Sequence, residues 1–167
     1  VAPSRGLGDV YKRQFVRYRT QITQTFSLSL SCQSTYYTMT LKRGKILIAD
    51  DNEDILFTLK ILLRPIAESI SITTDPRELL PILSRTHYDV ILLDMNFRND
   101  AVSGREGFHW LEEILKLDSG AVVIFITAYA DTEKAVRAIK LGATDFIAKP
   151  WQNDKMIATV SAALQLS

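Results

Sequence analysis

The sequence predicts an α/β domain in which one doubly wound, five-stranded parallel sheet carries five helices on its two faces. Three observations predict it. Short β-branched and aliphatic runs, KILIA (45–49), YDVILL (88–93) and AVVIFI (121–126), read as strands buried on both faces. Amphipathic stretches with helical spacing separate them. Alternating strands and helices joined by short links imply right-handed βαβ crossovers, and so parallel pairing.

Each element follows from local chemistry. The strand at 45–49 runs into Asp50-Asp51-Asn52, whose side-chain oxygens can cap the next helix. In DILFTLKILLR (54–64), Ile55, Leu59, Leu62 and Leu63 share one face, and Pro65 ends the helix. A weaker strand lies around 69–73. Asp75-Pro76 offers a cap and a first-turn proline to a helix over 76–84. YDVILL leads into Asp94, and the polar segment 95–106 reads as a long loop. FHWLEEILKL (108–117) places Phe108, Leu111, Ile114 and Leu115 on one side. AVVIFI delivers Thr127. Asp131 or Thr132 caps a helix over 132–141, which Gly142 closes. TDFIA (144–148) is the last strand and precedes Lys149-Pro150. The final helix, about 153–165, turns Met156, Ile157, Val160 and Leu164 inward.

Composition narrows the function classes. With 167 residues, 47% hydrophobic and 23% charged, the chain suits one globular domain plus a tail. No apolar run approaches the roughly 20 residues that span a bilayer. A single cysteine, Cys32, leaves no intramolecular disulfide and no Cys-based metal site. A net charge of +1 argues against a strongly basic nucleic-acid binder.

That average hides a split. Residues 1–38 hold five basic residues (Arg5, Lys12, Arg13, Arg17, Arg19) and one acid (Asp9), while the remainder is net acidic. A secretory signal needs an unbroken apolar stretch of roughly 7–15 residues, which FSLSLS does not provide. A transit peptide fits the composition alone. DVYKRQ (9–14) resembles the conceptual translation of a transposon end used in DNA library preparation, which makes Met39 the expected native start. Residues 1–41 are therefore expected to be disordered and non-native, with the folded domain at 42–167.

In a doubly wound sheet, ligands bind at the carboxyl ends of the strands. Those ends offer Asp50, Asp51, Asp94, Thr127 and Lys149. Taken singly, the acids are also good helix caps, Thr127 a good turn residue and Lys149 a good solvated one. Their convergence is what the fold adds. Three neighbouring carboxylates need counter-charge, supplied by Lys149 and by a divalent cation. An oxygen-only set suits Mg²⁺, and no His or Cys lies there to favour zinc.

ADDN (49–52), VILLDMN (90–96), FITAYA (125–130) and DFIAKP (145–150), in this order and spacing, resemble the receiver domain of two-component response regulators. The resemblance covers 45–165 and implies a flavodoxin-like strand order, 2-1-3-4-5. It implies that Asp94 accepts a phosphoryl group from a histidine kinase. Asp51, Asp94 and the backbone carbonyl of Asn96 would bind Mg²⁺, with Asp50 acting through water. Thr127 and Lys149 would contact the phosphoryl group, Thr127 and Phe146 would form the switch, and Lys149-Pro150 would be cis. It further implies a cytoplasmic bacterial signalling protein without enzymatic action on external substrates. A homodimer through the fourth helix, fifth strand and fifth helix is expected, with no direct contact to nucleic acid or membrane by this domain. Asn96 and Tyr129, two positions after Asp94 and Thr127, are placed to tune phosphoryl lifetime.

The sequence also departs from that family. No proline follows Asp94 before the next helix, and Gly107 comes 13 residues after it, so this loop is about five residues longer than usual. Such loops resemble enhancer-binding regulators of the nitrogen-regulator type, which join a receiver to an ATPase and a DNA-binding domain. Two rivals remain. Phosphatases of the haloacid dehalogenase type carry their nucleophile after the first strand with a second aspartate two positions on, and Asp50-Asp51-Asn52-Glu53 does not match. A pseudo-receiver would lack part of the set Asp51, Asp94, Thr127 and Lys149. His87, His109, Trp110 and Trp151 have the spacing of structural residues.

Overall fold

Five parallel strands form one sheet in the order β2-β1-β3-β4-β5, as the sequence predicts. In the computed structural model the described residues are 43–97, 105–128 and 132–167. The expectations for residues 1–41, Tyr129 and the Asp131 cap lie outside them. The strands are β1 (Gly44–Ala49), β2 (Ala67–Thr73), β3 (Val90–Asp94), β4 (Val123–Ala128) and β5 (Asp145–Lys149). The helices are α1 (Glu53–Leu63), α2 (Leu79–Arg85), α3 (Arg105–Leu117), α4 (Thr132–Lys140) and α5 (Asn153–Ala163).

The reversal of winding between β1 and β3 puts helices on both faces. Side chains alternate along each strand, so Ile46, Ile48, Leu92, Ile124 and Ile126 join one core with α1 and α5. Leu47, Leu93 and Phe125 join the other, against Leu79, Phe108, Leu111 and Ala138 from the remaining helices. Central strands covered on both faces cannot alternate in polarity, which is why they read as continuous apolar runs.

Several boundaries differ from the sequence reading. β2 begins at Ala67, because a register shift between Gly44 and Lys45 lets Ala67 pair and bury. The expected helix at 76–84 divides into a 3₁₀ turn, Pro76–Glu78, and α2. Pro81 has no N–H to donate, so it fits only in the first turn of the α-helix, and the residues before it tighten. Asp75 caps as expected, accepting from the Arg77 amide. Asn52 is the cap of α1, accepting from the amides of Asp54 and Ile55. Gly142 closes α4 at φ +108°, and Lys149-Pro150 is cis.

α3 starts at Arg105, inside the segment expected to be loop. Gly107 explains this: a Cβ there would stand 2.7 Å from the Met95 carbonyl oxygen. Only a bare Cα lets the helix start so close to the backbone following Asp94. Gly107→Ala normally favours a helix by about 1 kcal/mol. Here it is expected to destabilise by about 1–3 kcal/mol, since the clash is with backbone. Urea unfolding measures the sign, and a stabilised variant would dismiss this packing role.

Candidate functional site

Parallel register brings the polar strand ends together. Ala49 pairs with Leu93, so Asp50 and Asp94 follow at the same level on adjacent strands. Asp94 pairs with Ile126, one residue before Thr127, and Ala128 pairs with Lys149. Carboxylate oxygens of Asp50, Asp51 and Asp94 lie within 4.8 Å of one another. Sequence reasoning placed these residues just past their strands; Asp94, Thr127 and Lys149 instead lie within them. β-Pairing thus fixes their backbones directly.

Lys149 bridges two of the acids. Its Nζ donates to Asp50 Oδ2 at 2.7 Å and to Asp94 Oδ1 at 2.9 Å. Asp50 is fully buried and Asp94 is 3% exposed. Asp50 Oδ1 also accepts from the Asn52 amide at 2.9 Å, tying the acid to the cap of α1.

Charge dominates this hollow. Burial raises Asp94 from 3.8 to about 7; Lys149 pulls it back and the Asp50 charge pushes it further up. Burial likewise raises Asp50, against the pull of Lys149. Burial pulls Lys149 down, but Asp94 and Asp50 together win and hold it above its ordinary value. Lys149 thus meets two buried carboxylates, and a third, from Asp51, lies in the same cluster, an arrangement that favours further positive charge. The donor set is oxygen only, at a spacing one hard divalent ion could bridge. These residues fit Mg²⁺.

Two polar atoms at the same edge lack a protein partner among the described residues, Thr127 Oγ1 and Asn96 Oδ1. Thr127 is 2% exposed. A buried hydroxyl left unpaired costs about 1–3 kcal/mol, which a ligand oxygen can recover. Phe146 lies on the edge strand β5 beside Phe125 and is 37% exposed. Asp145 stands at the other end of β5 from Lys149 and accepts from the Phe146 amide. Trp151 is buried, whereas His87 and His109 are exposed and the His109 ring lies tilted against Trp110, centroids 5.0 Å apart.

Sequence reasoning missed Glu106 and Phe97, which line a hollow of about 430 Å³ together with Asp51 and Arg77. The available signal was Gly107, whose close approach to Met95 pulls the start of α3 to this edge.

Known proteins share this fold and sequence pattern. The family described as response regulator receiver domain matches residues 46–161. The response regulator protein TodT of Pseudomonas putida is 31% identical over 136 residues, 81% of this chain and 58% of TodT. The transcriptional regulatory protein ZraR of Escherichia coli is 31% identical over 126 residues, 75% of this chain and 27% of ZraR. The chain thus spans little more than half of one relative and about a quarter of the other. Among solved structures, the N-terminal signal receiver domain of a Bacteroides fragilis response regulator superposes with a TM-score of 0.67 at 38% identity, covering 73% of this chain and 97% of that one. The receiver domain of NtrX from Brucella abortus gives 0.66 at 29%, covering 73% and 99%.

Proposed function

Because the chain belongs to the response regulator receiver domain family, we propose that it takes a phosphoryl group from a histidine kinase onto Asp94 and relays the change to an output domain. The observation that carries this is the Lys149 bridge between two buried aspartates in a three-carboxylate cluster. A pseudo-receiver gains nothing from burying two acids whose ionisation is this costly.

In the reaction an Asp94 oxygen attacks phosphorus, the P–N bond to the kinase imidazole breaks, and an acyl phosphate forms. Phosphoryl transfer passes through a loose transition state, so positioning and charge neutralisation matter more than nucleophile strength. Asp51, Asp94 and the Asn96 carbonyl would hold Mg²⁺, with Asp50 acting through water. Bound there, the ion supplies charge neutralisation and Lewis acidity toward phosphoryl oxygens. Lys149, already 2.9 Å from Asp94, supplies the second positive charge. Thr127 Oγ1, buried and without a partner among the described residues, is a neutral donor ready for a new oxygen.

Phosphorylation adds about one negative charge. Drawing Thr127 toward it would open space for Phe146 and alter the surface of α4, β5 and α5. Val136, Ile139 and Phe146 already expose apolar surface there, at 48%, 42% and 37%. That face suits a second copy or the output domain, and a few kcal/mol of differential contact suffice to shift the population. Asn96 beside the phosphoryl group, and Tyr129, would set its lifetime against water. The output is transcriptional, by analogy with relatives named as transcription regulators, and the setting cytoplasmic. Among the described residues no helix is long and apolar enough to cross a membrane. This domain itself acts on no external substrate and touches no nucleic acid.

Incubation with Mg²⁺ and acetyl phosphate tests the reading. One acid-stable, base-labile phosphoryl group should appear, mapping to Asp94 by mass spectrometry. A protein that stays unlabelled is a pseudo-receiver, and hydrolysis of many equivalents per chain would indicate a phosphatase.

A further inference from the structure

Away from the acidic cluster, a hollow of about 990 Å³ lies between α1 and the terminal strand β2. Glu53, Phe57, Lys60 and Arg64 line it from the helix, and Ile70 and Ile72 from the strand. Phe57 is 65% exposed and Ile72 is 40% exposed. Phe57 and Ile72 give this hollow an exposed apolar part.

The charge pattern names the occupant. Residues 53, 57, 60 and 64 fall at helical spacing, so they form one stripe along α1. The stripe reads acid, aromatic, base, base. Two such helices set antiparallel about a two-fold axis at the middle of α1 place Glu53 of each copy against Arg64 of the other. The same operation faces Phe57 with Lys60, whose methylene stem and ammonium both suit an aromatic ring. It also opposes the two helix dipoles favourably. Among the described residues β2 pairs with β1 alone, so its other edge is open to a second copy. Asp54 adds a second acid at the Glu53 end of α1, while Glu68 of β2 and Glu78 of the 3₁₀ turn also line the hollow and take no part in the helix stripe.

We propose that the α1–β2 hollow is a self-association surface, closed by a second copy of this chain through an isologous two-fold contact. Isologous pairing requires a self-complementary patch, and this stripe is one. The proposal stands apart from phosphoryl acceptance, since it uses none of the residues assigned to that role.

Sedimentation velocity on the full chain decides it, using Glu53→Arg, Arg64→Glu and Phe57→Lys variants. The unaltered chain should dimerise at concentrations up to about 500 µM, and less so at high salt, as a small polar interface does. Each variant alone should dimerise at least about tenfold more weakly. An equimolar mixture of the Glu53→Arg and Arg64→Glu chains should regain the dimer, because the guanidinium introduced at position 53 of one then meets the carboxylate introduced at position 64 of the other. That rescue also rules out misfolding as the cause of the single defects. A chain monomeric throughout the range, whether residues 1–42 fill the hollow or nothing does, overturns the proposal. So does a dimer indifferent to all three substitutions but broken by Val136→Lys.

Discussion

Replacing Asp94 by asparagine is expected to abolish phosphoryl uptake and, at the same time, to make the metal-free protein more stable. The first half follows from the proposed chemistry, because the amide has no carboxylate oxygen to attack phosphorus. The second follows from electrostatics. Burial holds Asp94 at about 7, well above its usual 3.8. Between those values the folded protein binds a proton that the unfolded chain releases, so stability falls as pH rises. The contribution is fully present below about pH 4 and is lost by the time pH passes about 7. Asp50, raised by the same burial, acts in the same direction. At pH 8 the Asp94→Asn protein should therefore exceed the parent by about 2–4 kcal/mol, and at pH 4 the two should agree. Mg²⁺ should narrow the gap by stabilising the ionised parent. Urea denaturation at both pH values, with and without the cation, measures each part. A variant no more stable than the parent at pH 8 would show that Asp94 is not strained by ionisation, and residual label would remove it as the acceptor.

Replacing Lys149 by alanine is expected to harm both properties. Its Nζ contacts Asp50 and Asp94 directly. Removing one partner of a buried ion pair typically costs about 3–5 kcal/mol, because the remaining charges lie uncompensated. Losing a positioned donor at a reacting oxyanion typically lowers the rate by about 10²–10³-fold. The two effects separate with pH. At pH 5 the carboxylates take up protons, so the stability deficit should shrink while labelling stays slow. Lys149→Arg should recover part of the stability and little of the rate, since a broad planar fork replaces a compact ammonium. Equal labelling rates for alanine and lysine at position 149 would remove this residue from the reaction.

The strained site and the stable scaffold are two sides of one design. Leu47, Ile48, Leu92, Leu93, Ile124 and Phe125 are essentially fully buried and hold the strand ends in register. That packing lets Asp50 and Asp94 remain buried although ionisation there is costly. A looser sheet would admit water and relax both acids toward ordinary values.

Much of this was legible along the chain. Continuous apolar runs at 45–49 and 121–126 identify strands covered on both faces, because runs so short and rich in β-branched residues suit a buried strand better than a helix. Asp75-Pro76 and Gly142 marked their helix ends through backbone chemistry that acts within a few residues. The errors fell where distant contacts decide. α3 gained an additional turn because Gly107 meets Met95, and β2 gained two residues because a bulge opposite Gly44 lets Ala67 bury. Gly107 and Gly44 are visible along the chain as glycines, but what each one faces is not.

The division for the site is similar. Sequence alone determined which residues stand at the strand ends, since hydrophobic period and turn chemistry are short-range and survive in a linear reading. Tertiary structure alone decided that Lys149 bridges Asp50 and Asp94, 99 and 55 residues away, that Asp50 is anchored to the cap of α1, and that Glu106 reaches the Asp51 edge. It alone aligned Phe57 and Ile72 across one hollow. Such pairings depend on sheet register and on how much water the packing excludes, and both exist only once remote segments have closed on one another.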